Sequence, residues 1–180
     1  MPMTPSAKRA IAASLLELVE QKPLEKISVS DIVKHAHVGR QTFYNHFKDK
    51  NDLIYWIFCR TLSGERALME HAGLRAYLTK LYTEAQKYRR FLKQACRQEG
   101  QNALSDAIYQ QTYTYYKNWI LRRHGSAVLT DELEFALQFN AHGASDLYVQ
   151  WAKDGMPGSA QDQANYAFEC MPRKIRDLLN

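Results

Sequence analysis

Three cysteines, five prolines and eight glycines are spread over 180 residues, and each scarcity excludes something. Cys59, Cys96 and Cys170 are far apart, odd in number and form no Cys-x-x-Cys pair. They read as reduced thiols, with neither a disulfide framework nor a metal site expected. No apolar run approaches the roughly 20 residues of a membrane-spanning helix. The first ten residues also lack the apolar segment of a secretory signal, so the sequence predicts no membrane partner and a cytoplasmic location. A phosphate-cradling glycine loop is missing, as is any nucleophile, base and orienting group at recognisable spacing; a protein that is not an enzyme and needs no cofactor is expected. Strand signals are absent too. The fold class predicted is all-α, with about nine helices.

What is present is a basic excess placed at one end. The formal charge is +5, and residues 1–60 hold nine Lys and Arg against six Asp and Glu, while the remaining 120 hold fifteen against thirteen. A basic amino-terminal module suits an anionic polymer. Within it, residues 28–53 read as two short helices, a tight turn and the start of a third. Ser28 and Asp31 form a capping box that starts a helix at Val29. Gly39 sits at the next N-cap, and a second helix is predicted from Arg40 to about Phe47, with Phe43 and Phe47 on its inner face. Its other face carries Arg40, Gln41, Tyr44, Asn45 and Lys48, long donors with few acidic neighbours, as an electronegative groove requires. Asp49 and Asp52 repeat the capping device, leaving Lys50 in a helix's first turn, where a cation calls for an anion nearby. DNA phosphate would supply it. This is a helix-turn-helix arrangement, whose second helix enters the major groove.

At these residues the chain resembles the TetR family of bacterial transcriptional regulators. The family pattern Ala-Gly-Val-Ser-x-x-Thr-Phe/Tyr-Tyr-x-His-Phe-x-x-Lys-x-x-Leu is carried by Ala36, Val38, Thr42, Phe43, Tyr44, His46, Phe47, Lys50 and Leu53. His37 stands where the family usually has glycine, and Gly39 where it usually has a capping serine or threonine. The resemblance implies a sequence-specific repressor relieved by a small-molecule effector, a homodimer on a near-palindromic operator, and DNA contacts from Ser28, Arg40, Gln41, Thr42, Tyr44, Asn45, His46, Lys48 and Lys50. Tyr44, His46 and Lys50 match positions that meet or support the phosphate backbone; Arg40 and Gln41 lie where base edges are met. It also implies a division into a DNA-binding domain, 1–50, and an effector-binding and dimerisation domain, 51–180. The chain from about Tyr88 onward, with His142-Gly143, Trp151 and Gly155, resembles the subgroup of regulators of dihydroxyacetone kinase.

The remaining helices follow from caps and breakers. Thr4 and Pro5 start a first helix that runs to about Gln21, ahead of Pro23. A fourth helix runs from about Lys50 to His71, stopped by Gly73. Residues 74–88 and 90–98 follow as one interrupted helix or two, ending at Gly100, and then a helix from Ala103 to Arg123, closed by Gly125. Thr130 caps a helix to about Asp154, Ser159 with Asp162 starts the last, and Pro172 divides it. Ala136, Asn140, Gly143, Ala144, Leu147 and Trp151 form a stripe with small residues, suited to a dimer face or to an internal core. Tyr113, Tyr116, Trp119, Phe139 and His142, with Asp146 and Tyr148, fit either the walls of an effector pocket or ordinary core aromatics. The basic cluster Lys87, Arg89, Arg90, Lys93 and Arg97 fits a solvated helix face, an anionic effector or a partner protein. The rival to a DNA-binding regulator is a helical protein-interaction dimer acting through a partner protein.

Overall fold

The computed structural model describes residues 6–63, 66–98 and 104–180. Among them are ten α-helices, two 3-10 turns and no strand. Helix α1 (Ala7–Gln21) buries Ile11, Leu15, Leu18 and Val19. A 3-10 turn at Leu24–Lys26 follows, then α2 (Val29–His35) and α3 (Arg40–Tyr44). The capping box is present: Ser28 Oγ accepts from Asp31 N at 3.1 Å, and Asp31 Oδ2 accepts from Ser28 N at 2.8 Å. The Ser28 N–H and then the Ser28 hydroxyl, both donating to the carboxylate, with Lys22 beside it, hold the Asp31 carboxyl down at about 2, well below the usual carboxylate range. Ser14, buried in α1, donates to Ile32 O at 2.9 Å and pins α2 across it. Phe43 and Phe47 close this small core, both at most 2% exposed.

The second helix of the pair is shorter than Arg40–Phe47. It ends at Tyr44, and the His46 N–H bonds Phe43 O while the Phe47 N–H bonds that same carbonyl, so the last turn tightens and drops Phe47 into the core. The predicted helix from Lys50 to His71 is represented by α4 (Lys50–Ser63) and the start of α5 (Arg66–Lys87), with residues 64–65 outside the described residues. Gly73 does break the helical path, at φ 78°, but the chain resumes helix at once on its far side. Thr4, Pro5, Gly100 and Ala103 lie outside the described residues.

Helices α6 (Arg89–Ala95), α7 (Leu104–His124), α8 (Asp131–Lys153), α9 (Ala160–Glu169) and α10 (Arg173–Leu179) complete the chain. Thr130 caps α8 through Leu133 N, and Ser159 caps α9 through Asp162 N. Helix α9 lies along α5 and α8 along α7, while α6 touches α1, the first 3-10 turn and α8. The basic cluster on and around α6 has a structural task. Arg97 donates to Lys153 O at 2.7 Å and Arg89 to Met156 O at 3.4 Å, so two guanidinium groups sit at the negative end of α8. Lys87 pairs with Glu84, and Arg90 lies 4.0 Å from Glu20. No described helix is long and apolar enough to cross a membrane.

Candidate nucleic-acid interface and regulatory cavity

Helix α3 stands on the surface because its inner residues are spent on the core. Phe43 is buried, whereas Arg40, Gln41, Tyr44, Asn45, His46 and Lys48 are exposed and Thr42 is half-buried. Arg40 reaches toward Ser30 and Tyr44, each at 3.5 Å, and its guanidinium lies 5.8 Å from the Tyr44 ring. Gln41 Nε2 donates to Asn45 Oδ1 at 3.1 Å. The result is a row of donors with no carboxylate among them, the chemistry of a face that meets phosphate and base edges. Ser28, by contrast, has its hydroxyl engaged with Asp31.

The two departures from the family pattern exchange costs. His37 adopts φ 54°, a left-handed conformation that glycine takes freely and histidine does not. Gly39 is extended at φ −75° and gives α3 no side-chain cap. A Cβ added there would meet only Thr42 Oγ1, at 3.8 Å. His37→Gly is therefore expected to stabilise the protein by about 1 kcal/mol, and Gly39→Ser by a few tenths more. Urea unfolding of the two variants and their combination checks both.

Lys50 also has partners within the protein. Its ammonium donates to Leu24 O and Ile27 O, both at 3.0 Å, tying the start of α4 to the first 3-10 turn. Burial lowers its pKa, with Glu25 partly offsetting that. Two of its three protons are thus spent inside the protein, and the anion foreseen in the groove is replaced by carbonyl dipoles. From the other side, Gln94 Oε1 on α6 accepts from Leu24 N at 2.7 Å. Lys50→Met should cost about 1 to 2 kcal/mol of stability by stranding those carbonyls, and should leave the salt slope of DNA binding unchanged. A slope reduced as in a phosphate-contact variant would show that Lys50 reaches the backbone instead.

The five aromatic candidates for the effector do not converge. Tyr113 gives its hydroxyl to Glu134, and Lys117 donates to both, at 2.9 and 3.1 Å. His142 is exposed and stacks on Tyr109 at 3.7 Å, Phe139 is 71% exposed, and Trp119 is buried at the edge of a different, open cleft. Of these five, Tyr116 alone borders the small cavity between α5, α7 and α8, where it is joined by Tyr148, grouped with them from the sequence. That cavity measures about 60 Å³ and is bordered by Tyr77, Tyr82, Tyr115 and Tyr116, with Ser145 and Tyr148 on α8 and Phe58 on α4. The sequence spread its aromatic candidates around α7 and α8; the tyrosines of α5 were the missed half, visible only as Tyr77 and Tyr82 near one helical turn apart. Among the described residues, no cluster of three metal-ligating side chains occurs.

Burial pushes the Tyr82 phenol and, in the same core, the Cys96 thiol up to about 12. Burial raises Tyr116 and Tyr148 in the same direction. Since each folded value exceeds the unfolded one, this stabilisation is whole below the ordinary thiol and phenol range and is lost as pH rises toward 12. Stability from urea titrations should therefore fall steadily above about pH 9. A flat profile up to pH 11 would mean that these groups are not held neutral by the fold.

Helix α8 also carries an uncovered apolar stripe. Phe135, Phe139 and Leu147 are 70%, 71% and 72% exposed, with Gly143 between them, and Tyr166 on α9 is 62% exposed. Trp151, grouped with this stripe by its spacing, is instead buried, its indole donating to Pro157 O at 2.9 Å. Ala136, Asn140 and Ala144 are half-buried on the helix flank.

A capped two-helix reader with an exposed donor face, set on a larger helical body with a tyrosine-lined cavity, defines a helix-turn-helix transcriptional regulator. Residues 11–55 match the family model described as bacterial regulatory proteins, tetR family, and residues 74–172 match that of a transcriptional regulator C-terminal region. The chain belongs to the TetR family and is a DNA-binding regulator. It is 41% identical over 51 residues to DhaS, the helix-turn-helix-type activator of the dhaKLM operon of Lactococcus lactis, a stretch covering 28% of this chain and 27% of that protein. A helix-turn-helix-type regulator of Staphylococcus aureus is 41% identical over 46 residues, 26% of this chain and 25% of its own. Thus the aligned stretch spans about a quarter of the length of these relatives. Over nearly the whole chain the fold is similar to that of the dihydroxyacetone kinase operon activator DhaS (TM-score 0.70, 19% identity, 97% of this chain and 98% of that one). It is similar as well to Thermus thermophilus FadR, a TetR-family repressor solved with lauroyl-CoA (TM-score 0.62, 19% identity, 91% and 92%).

Proposed function

We propose that this regulator works as a homodimer in the cytoplasm, reading a near-palindromic operator with α3 and its flanks and releasing it when a small molecule enters the carboxy-terminal body. The division near Lys50 belongs to this reading: the part before it reads DNA, the part after it senses and dimerises. One observation carries the reading: a single helix, α8, presents Phe135, Phe139 and Leu147 to solvent on one side and borders the tyrosine cavity on the other. Large contiguous apolar exposure marks a covered surface, and a second copy, with its own α8, offers the matching face under two-fold symmetry. Such a dimer places two copies of α3 at successive major grooves, roughly 34 to 36 Å apart or somewhat more. Repression is the sign supported by FadR, named as a repressor. The likeness to DhaS, named as an activator, supports the opposite sign.

Mobility shifts with genomic fragments at two salt concentrations, followed by footprinting, test the reading. A two-fold footprint with steep salt dependence supports it. Failure to prefer any fragment over bulk DNA would favour the protein-interaction alternative. A reporter placed downstream of the footprint then decides the sign.

A further inference from the structure

We infer that the cavity between α5, α7 and α8 is the site of a small uncharged compound bearing hydroxyl or carbonyl oxygens, held by Ser145 Oγ and Tyr148 OH. The inference rests on the reading of the protein as an effector-responsive regulator, and it names what the effector must look like.

Three observations carry it. Ser145 and Tyr148 are 2% and 5% exposed, both border the cavity, and among the described residues neither hydroxyl has a hydrogen-bond partner. Buried polar atoms are nearly always paired, so two orphans at one cavity point to an occupant that pairs them. Two further polar groups there are already engaged: Thr112 donates to Ile108 O at 2.9 Å, and Gln111 Oε1 accepts from the Cys59 thiol at 3.3 Å.

The second observation concerns charge. Among the described residues no carboxylate, ammonium, guanidinium or imidazole borders the cavity, and burial holds Tyr82, Tyr116 and Tyr148 in their neutral forms. An ion entering it would leave water for a site with no countercharge. A hydroxyl or carbonyl compound loses only hydrogen bonds, which Ser145 and Tyr148 restore with one donor and free lone pairs each.

The third is size. A volume of about 60 Å³ admits a few waters or a compound of roughly four to six non-hydrogen atoms, whereas pockets for drug-sized ligands span roughly 300 to 1,000 Å³. Phe58, from α4, forms part of the wall. Occupancy therefore bears directly on the helix that begins at Lys50.

Lactamide and lactate share a shape and differ in charge, and propane-1,2-diol supplies a second neutral probe. With the full chain labelled at alanine and leucine methyls, titration of lactamide or the diol should move Ala144, Leu78 and Leu81 to saturation. Lactate should bind at least about tenfold more weakly, and Ser145→Ala with Tyr148→Phe should weaken the neutral probes by a similar factor. The double variant removes only unpaired oxygens, and its methyl spectrum verifies the fold. Equal affinity for lactate, undiminished binding by the double variant, or no binding by either neutral probe, the cavity then holding water alone, would overturn the inference. Operator affinity measured on the same samples separates the two ideas. A neutral probe that binds these methyls without changing operator affinity supports the site and refutes the effector reading. An operator response to charged compounds alone overturns the site's assigned chemistry and leaves the effector reading standing.

Discussion

Leu147→Glu should give a folded monomer whose operator affinity is lower by at least about three orders of magnitude. Leu147 is 72% exposed, so the isolated subunit loses no core packing. In the proposed dimer the new carboxylate would be buried against its own copy, an unpaired charge in an apolar seam. A monomer keeps the contacts of one half-site only, and the free energy of the second half-site disappears from the complex. Gly143→Glu should act the same way, because a Cβ there meets nothing within 4 Å and the side chain is harmless until a second subunit arrives. Sedimentation velocity and operator titration on one preparation check both variants. A monomer with undiminished operator affinity, or a dimer that survives both substitutions, would refute the assignment of this face.

Gln41→Ala is expected to lower affinity for the operator by about 1 to 3 kcal/mol, roughly 5- to 150-fold, while leaving scrambled duplex unaffected. In the free protein the Gln41 amide is held by Asn45 at 3.1 Å. The pair thus arrives at the groove already oriented, with the rest of the glutamine amide available to an adenine edge. Arg40→Ala should show the same selectivity at a guanine. Lys48→Ala should instead weaken operator and scrambled DNA alike and reduce the salt slope by about 0.9, one phosphate's worth of released counterions. Titrations of both duplexes over a salt series distinguish reading from positioning. Equal losses on both duplexes for Gln41→Ala would mean that α3 is rotated about its axis relative to this assignment.

Local signals in the sequence carried well into the structure where the physics is local. Ser28 with Asp31, Thr130, and Ser159 with Asp162 each start a helix because a side-chain oxygen and a free N–H lie three residues apart whatever the rest of the chain does. Pro172 divides the carboxy-terminal helices for an equally local reason. Tertiary facts were illegible. Helix α8 is apolar on more than one side, so spacing alone grouped Leu147, exposed, with Trp151, buried. Lys50 finds carbonyls 23 and 26 residues away, and no pattern in the sequence announces that meeting. The cavity is set by where α5 meets α7 and α8, and of the seven residues that spacing grouped as pocket walls only Tyr116 and Tyr148 reach that junction.

Helix α6 has seven residues, too few to persist in water on their own. It is held near its carboxy end by Leu24 through Gln94, and by α8 and the turn after it through Arg97 just past α6, which donates to Lys153 O, and through its first residue Arg89, which donates to Met156 O. A segment that is helical only while both neighbours grip it cannot slacken by degrees, because loss of either grip removes the nucleus for the rest. In the proposed division, the joint between the sensing body and the DNA reader would therefore be a fuse rather than a spring, intact or gone, and its failure would leave the longer helices on both sides whole.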